Sequence, residues 1–207
     1  MKPYIWLSIA ALLSLTCTTQ AQPQLGPRYM PMPYAAAPGV NRSTEAAETL
    51  REGIDKLLEF LGQDEKPNKL QVAAFLDATI APYFDFDYMA KWIAGSRFRD
   101  MSAKQRQAFV ASLEARFLGT LATKLANYKG QQVRFFRPRR GARGAVNVTV
   151  GIMSPGSYPS KLEFRMYKSS DRWKIYDVVA NGRSAVAFYR QQSRRSSIPN
   201  QPGPYGR

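Results

Sequence analysis

The spacing of apolar residues changes once along this 207-residue chain, and Gly130 marks the change. Before it, apolar residues recur every three or four positions, as on one face of a helix. The clearest run is Phe109, Leu113, Phe117, Leu121 and Leu125. After Gly130, apolar and polar residues alternate, which is typical of strands with one buried face. Helices followed by strands favour an α+β fold, in which helices pack on one face of an antiparallel sheet.

Helix-starting and helix-stopping residues bound four predicted helices before Gly130. They are Ser43 or Thr44 to Gly62, Pro67 to Pro82, a short helix after Phe86 ending at Gly95, and Ser102 to Gly130. Four strands are predicted next, over 132–137, 146–152, 162–167 and 173–178, followed by a last helix over 184–192. Short turns between consecutive strands indicate an antiparallel meander.

The composition excludes several classes of enzyme. The chain has no histidine and a single cysteine, Cys17, so it can form neither a Ser-His-Asp nor a Cys-His nucleophile site. A zinc site of Cys and His ligands and an internal disulfide are excluded as well. No phosphate-binding glycine motif is present, which argues against nucleotide chemistry. We therefore predict no catalytic residue, no metal site and no cofactor.

Three carboxylates leave alternatives open. Asp85 and Asp87 stand two residues apart and could form an acid–base pair or bind a hard cation. The favoured interpretation is that one caps the third helix and the other faces solvent. Asp177 lies in a predicted strand, where it could act as a base with a raised pKa. It could equally pair with an arginine or cap a neighbouring loop.

The first residues are typical of a secretory signal peptide. Lys2 precedes an apolar run over 5–15, and Ala21 ends a stretch of small residues. The run is too short to span a bilayer, which needs about 20 residues. We predict a signal peptide over 1–21 and a periplasmic location in a Gram-negative cell. An uncleaved anchor, or a lipoprotein modified at Cys17, is the alternative.

The rest of the chain divides by composition. Residues 22–42 are rich in proline and predict a flexible leader, and 193–207 predict a disordered basic tail. A single domain is expected over 43–192.

Basic residues outnumber acidic ones by 30 to 15, and many arginines cluster. One cluster is Arg134, Arg137, Arg139, Arg140 and Arg143, and the other is Arg190, Arg194, Arg195 and Arg207. They could be solvated, bind an anionic membrane or acidic partner, or bind nucleic acid. Export from the cytoplasm argues against nucleic acid.

Beyond these patterns, the run over 82–130 resembles the core of the MlaC family of periplasmic phospholipid-binding proteins, also called toluene-tolerance auxiliary proteins. The matching residues are Pro82, Phe84, Asp85, Met89, Ala90, Gly95, Gln105, Arg106, Phe109, Tyr128 and Gly130. Agreement continues through the VxVxV run at 146–150 and the segment WKIYDV at 173–178. The resemblance covers roughly 44–192, nearly the whole predicted domain.

The resemblance implies a fold like nuclear transport factor 2, or cystatin: a curved four-stranded antiparallel sheet wrapped by helices around an apolar cavity. It also implies a monomeric, non-enzymatic carrier that shuttles phospholipids between an outer-membrane lipoprotein complex and the lipid-binding subunit of an inner-membrane ABC transporter. Contact with membrane surfaces would be transient, and no nucleic acid would be bound.

Strand alternation combined with this fold predicts the residues that line the lipid cavity. They are Phe117, Leu121, Val146, Val148, Val150, Leu162, Phe164 and Met166. The chain departs from the family after residue 192, which leaves a hopanoid or another apolar lipid as an alternative ligand. Two other classes stay open: an isomerase using Asp177, and an envelope adaptor that binds acidic partners through the arginine clusters.

Overall fold

The computed structural model describes residues 38–126, 128–154, 156 and 158–196, within one unit over 36–207. The helices are α1 (Pro38–Leu61), α2 (Lys69–Phe75), α3 (Phe86–Ala94), α4 (Arg97–Asp100), α5 (Ala103–Leu125) and α6 (Ala185–Ser196). The strands are β1 (Gln132–Phe135), β2 (Arg139–Arg140), β3 (Val146–Met153), β4 (Ser160–Ser169), β5 (Arg172–Ala180) and β6 (Arg183–Ser184). The predicted signal peptide with Cys17, most of the leader and residues 197–207 lie outside the described residues.

The five predicted helices are present in the predicted order, with corrections at their ends, and a sixth, the four-residue α4 over Arg97–Asp100, was not predicted. Helix α1 begins at Pro38, so the predicted cap at Ser43 or Thr44 is wrong. Proline is favoured at a first helical position because the N–H it lacks has no partner there. At the other end of the chain, α6 runs to Ser196, four residues into the predicted tail.

The second predicted helix is three helical segments in sequence. Asn68 caps α2 by accepting hydrogen bonds from the backbone N–H groups of Leu70 and Gln71, at 2.9 and 3.0 Å. A π-helical turn over Leu76–Ile80 and a 3-10 turn over Ala81–Tyr83 follow. Local spacing of apolar residues does not distinguish these tighter or wider turns from an α-helix, so the sequence predicted one continuous helix.

The sheet is antiparallel and six-stranded within the described residues, in the order β1-β3-β4-β5-β6 with β2 also paired to β3. All four predicted strands are present. The predicted total of four is wrong because β2 and β6 are two residues long each, which is too short to show alternation. The α+β class with an antiparallel sheet is confirmed.

The hydrophobic core joins the helical half to the strand half. Buried residues of α1, α2, α3 and α5 form one cluster with those of β3, β4 and β5. Helix α1 lies against β3 and β5, contributing Ala46 and Leu50, which are buried. A parallel β-bridge between Phe84 and Ile175 fixes the start of α3 beside β5.

Candidate functional site

Six of the eight predicted lining residues form three cross-strand pairs on one face of the sheet. Val146 lies opposite Met166, Val148 opposite Phe164, and Val150 opposite Leu162. Because side chains two residues apart on a strand share a face, these pairs form a continuous apolar surface. We call it the apolar face, and it also includes Phe135, opposite Val150, and Val178, opposite Phe164.

Burial varies along the apolar face. Val146, Val148, Val150 and Met166 are between 0% and 2% exposed. In contrast, Leu162, Phe164, Phe135 and Val178 are only half-buried. Along β4 the face is therefore closed at Met166 and more accessible toward Phe164 and Leu162, and Phe135 is also accessible, whereas the β3 residues between them are buried throughout.

The two helix residues predicted for the site contact the same core. Phe117 of α5 is half-buried, and its ring centroid lies 5.0 Å from that of Phe84 and 5.8 Å from that of Phe86. Leu121, one turn later, is half-buried against the core. Sequence reasoning omitted Phe84, Phe86, Phe135 and Val178 from this site. The dense aromatic run PYFDFDYM was the signal for the first two.

The buried members of the apolar face belong to the packed core. Exposures of 0–2% leave no water-sized space against Val146, Val148, Val150 or Met166. These four residues form one cluster with buried residues of α1, α3 and α5.

Two depressions lie elsewhere on the surface. One of about 350 Å³ is lined by Lys91, Gly95, Phe98, Arg99 and Arg106. The other, of about 490 Å³, is lined by Lys69, Ala115, Arg116, Gly119, Thr120, Thr123, Phe188, Tyr189 and Gln192. Neither contains a predicted lining residue.

A cation stands at the accessible end of the apolar face. The guanidinium carbon of Arg51 lies 4.0 Å from the centre of the Phe135 ring, a cation–π contact. Arg51 is exposed, whereas Phe135 is half-buried. The arrangement places a positive charge beside the half-buried apolar side chains.

Asp177 has structural partners. It is 4% exposed and accepts hydrogen bonds from Arg165 Nη1 at 3.3 Å, from Ser184 Oγ at 2.7 Å and from the Val186 N–H at 3.1 Å. The contacts join β5 to β4 and to the start of α6. Pairing with an arginine and capping a neighbouring segment, the structural alternative for this residue, is thus the one observed.

For Asp85 and Asp87, too, the structure shows the favoured interpretation, in which one residue caps a helix and the other faces solvent. Asp85 caps α3 by accepting a hydrogen bond from the Tyr88 N–H at 2.8 Å, and Asp87 is exposed. Asp85 also accepts a hydrogen bond from the Tyr167 hydroxyl. Burial, reinforced by this hydrogen bond, raises the pKa of Tyr167 to about 12.

The described residues contain no helix long and apolar enough to cross a bilayer. Over the same residues, no three His, Cys, Asp or Glu side chains are grouped so as to hold a metal ion.

Fold and site together define an α+β domain organised around an apolar sheet face that is accessible at one end. The family model described as MlaC protein matches residues 51–197, and this chain belongs to that family. The resemblance noted in the sequence is thereby confirmed.

Two known proteins are similar to this chain. The intermembrane phospholipid transport system binding protein MlaC of Haemophilus influenzae is 29% identical over 146 residues, which are 69% of this chain and 66% of that protein. A solved structure of a phospholipid-binding protein from Ralstonia solanacearum, in complex with a phospholipid, matches with a TM-score of 0.62 and 25% identity. That match covers 73% of this chain and 89% of the other.

Proposed function

We propose that this protein is a non-enzymatic phospholipid carrier of the periplasm. The observation that carries the proposal is the apolar face, whose β4 residues pass from fully buried at Met166 to half-buried at Phe164 and Leu162. The phospholipid bound by the similar Ralstonia protein supports the same ligand class.

In this proposal the acyl chains lie against the apolar face, with the eight predicted lining residues as their contacts. The chains insert from the accessible end, and side chains of the helices move apart to admit them. Each methylene removed from water contributes about 0.8 kcal/mol, so two chains of ~15 methylenes represent roughly 24 kcal/mol of transfer from water. A lipid leaving a bilayer is already dry, however, so exchange between bilayer and protein is close to balance. Such exchange requires no nucleophile, metal or cofactor.

Arg51 would meet the lipid headgroup. A phosphate at the accessible end of the apolar face would lie beside its guanidinium, which the Phe135 ring holds at 4.0 Å. A planar guanidinium can donate two parallel hydrogen bonds to a phosphate, which makes it suited to this role.

The family, and the name of the Haemophilus protein as the binding protein of an intermembrane phospholipid transport system, support the proposed location and partners. We propose that a signal peptide over 1–21 exports the chain. As a monomer, it would exchange lipid with an outer-membrane lipoprotein complex and with the lipid-binding subunit of an inner-membrane ABC transporter.

Native mass spectrometry tests the ligand. The whole chain would be produced in a Gram-negative cell, purified from the periplasm without detergent, and sprayed with its ligand bound. We expect the added mass of a two-chain phospholipid, with a headgroup identified by fragmentation. A smaller added mass, matching a hopanoid, would show that the ligand is a hopanoid and not a phospholipid. A ligand-free spectrum, unchanged after incubation with liposomes, would overturn the carrier.

A pair of variants tests the site. Phe164→Asp places a charge on the half-buried part of the apolar face, whereas Asn147→Asp places the same charge on the opposite face. We expect the first to lose bound phospholipid and the second to retain it, with both folded by circular dichroism. Equal lipid occupancy in the two folded variants would contradict the proposed site.

A further inference from the structure

A long part of this chain carries positive charge only. Between Glu114 and Glu163, residues 115–162 include nine Lys or Arg residues and no Asp or Glu. That segment covers the end of α5 and strands β1, β2 and β3. The net charge of +15 is therefore concentrated toward one part of the fold.

All nine of these cations are exposed, and six of them lie in or between strands β1 to β4. Strand β2 pairs with the start of β3, so that Arg139 lies opposite Asn147 and Arg140 opposite Val146. The connecting turn is tight, with the Gly141 N–H donating to the Ala145 carbonyl at 2.8 Å. We call the resulting set the basic surface, and its six members are all exposed: Arg134, Arg137, Arg139, Arg140, Arg143 and Lys161.

An aromatic ring lies within the basic surface. Arg134 and Lys161 both lie over the ring of Phe136, at 5.7 and 6.0 Å from its centre. The ring fits here because Gly151 of the neighbouring strand has no side chain, and a Cβ at that position would stand 2.9 Å from the ring. The fold thus holds two cations over one half-buried aromatic ring.

The charge of the basic surface is not compensated within the described residues. None of its six cations forms an ion pair there. Other cations of the same protein do find partners, as Lys56 does with Glu52 at 2.7 Å and Lys168 with Glu45 at 2.9 Å. The difference indicates that the basic surface is suited to an external anion.

We propose that the basic surface docks this protein on an anionic phospholipid bilayer. Val146 and Gly151 are five residue steps apart on β3, so the cations extend over about 17 Å along a hairpin, enough to meet several headgroups. Clusters of several Lys and Arg residues are attracted to the negative surface of an anionic bilayer. Single-stranded nucleic acid needs open ring faces on which bases stack, and here cations cover the Phe136 ring.

The inference concerns docking and is independent of the lipid that the apolar face holds. A protein could dock on a bilayer without carrying lipid, and could carry lipid without docking through this surface. The two are therefore measured separately.

Vesicle co-sedimentation tests the docking surface. The purified full chain would be mixed with vesicles of phosphatidylglycerol and phosphatidylcholine, or of phosphatidylcholine alone, at low and high salt. We expect binding to the anionic vesicles only, and weaker binding as salt screens the charges. The test variant carries Arg137→Glu, Arg139→Glu, Arg140→Glu and Arg143→Glu, and we expect its binding to fall about 1,000-fold.

The control variant changes the same net charge elsewhere. It carries Lys66→Glu, Lys69→Glu, Lys91→Glu and Lys104→Glu, four exposed positions on or beside the helices and outside residues 115–162. Because both variants lose eight units of charge, any difference between them reports location. We expect the control to bind anionic vesicles within about fivefold of the unchanged protein. A third variant with glutamine at the four hairpin arginines removes their charge without adding acids, and we expect it to bind less than the unchanged protein.

Three outcomes would overturn the proposal. The first is that the folded hairpin and control variants weaken equally, because net charge alone would then explain binding. The second is that the unchanged protein ignores anionic vesicles. The third is that polyglutamate displaces it from vesicles at equal charge concentration, which would assign the surface to an acidic polypeptide. We expect the lipid occupancy of the hairpin variant, measured by native mass spectrometry, to stay unchanged. Lipid occupancy therefore tests the carrier function separately from vesicle binding.

Discussion

The guanidinium of Arg165 lies 3.3 Å from the carboxylate of Asp177, across the pair of strands β4 and β5. The other contacts of that carboxylate reach Ser184 and the backbone of Val186, so one buried side chain holds the last helix against the sheet. The role of Asp177 is thus to organise the end of the fold.

Asp177→Ala is expected to destabilise the protein by about 2–3 kcal/mol, because it leaves buried donors without an acceptor. Urea unfolding followed by circular dichroism measures the loss. Glu163→Gln is the matched control, since Glu163 also contacts Arg165, at 3.1 Å, but is more exposed. We expect that change to remove less than about 1 kcal/mol. Similar losses in both variants would contradict the role assigned to Asp177.

Ionisation of Tyr167 is expected to make the folded protein less stable in alkali. Its pKa is raised from an ordinary value of 10.0 to about 12, by burial first and then by the hydrogen bond to Asp85. The folded chain therefore keeps the hydroxyl proton to higher pH than the unfolded chain. The stability from this residue is complete below pH 10 and is lost as the pH rises from about 10 to 12.

Absorbance of tyrosinate, taken as the difference between the unchanged protein and Tyr167→Phe, measures this ionisation. Asp85→Asn is the control, because asparagine can still cap α3 but carries no charge. We expect it to lower the pKa of Tyr167 without restoring the ordinary value, since burial remains. A difference spectrum that titrates near pH 10 in the unchanged protein would be inconsistent with this account.

Two glycines are expected to respond in opposite directions to alanine. At Gly151 a Cβ would lie 2.9 Å from the Phe136 ring, so Gly151→Ala displaces the ring or the strand and destabilises by about 1–3 kcal/mol. At Gly119, within α5, a Cβ would meet nothing within 4 Å. There alanine is expected to stabilise by about 0.5–1 kcal/mol, because it favours the helix. Chemical unfolding of both variants checks the pair, and destabilisation of equal size would be evidence against the packing described.

Arg51 is expected to govern retention of anionic phospholipid. Arg51→Gln removes the charge above Phe135, and we expect bound phosphatidylglycerol to decrease about fivefold while the apolar face is unchanged. Lys66→Gln, an exposed change outside the helices, is the control and is expected to retain the lipid. Native mass spectrometry of each protein in competition between lipids measures the share of bound phosphatidylglycerol. An unchanged share in Arg51→Gln would contradict the proposed contact between Arg51 and the headgroup.

Much of the fold could be predicted from local signals. The capping box at Ser102 and Gln105, the alternation of Val146 and Val148, and the cap at Asp85 all act between residues close in sequence. Strands β2 and β6 could not be predicted, because a two-residue strand is defined by its hydrogen bonds to a neighbouring strand and has no sequence pattern of its own. The start of α1 was placed five residues too late because Ser43 and Thr44 resemble caps although the helix has already begun.

Strand alternation is enough to place Val146, Val148 and Val150 on one face, because successive side chains of a strand point to opposite sides. The concentration of positive charge in 115–162 is likewise a property of the sequence. The burial of Met166, the position of Arg51 over Phe135, and the hydrogen bond from Tyr167 to Asp85, 82 residues away, arise instead from tertiary packing. These contacts join segments far apart in the chain. Burial and proximity of that kind depend on how helices pack on the sheet, which no local spacing of residues encodes.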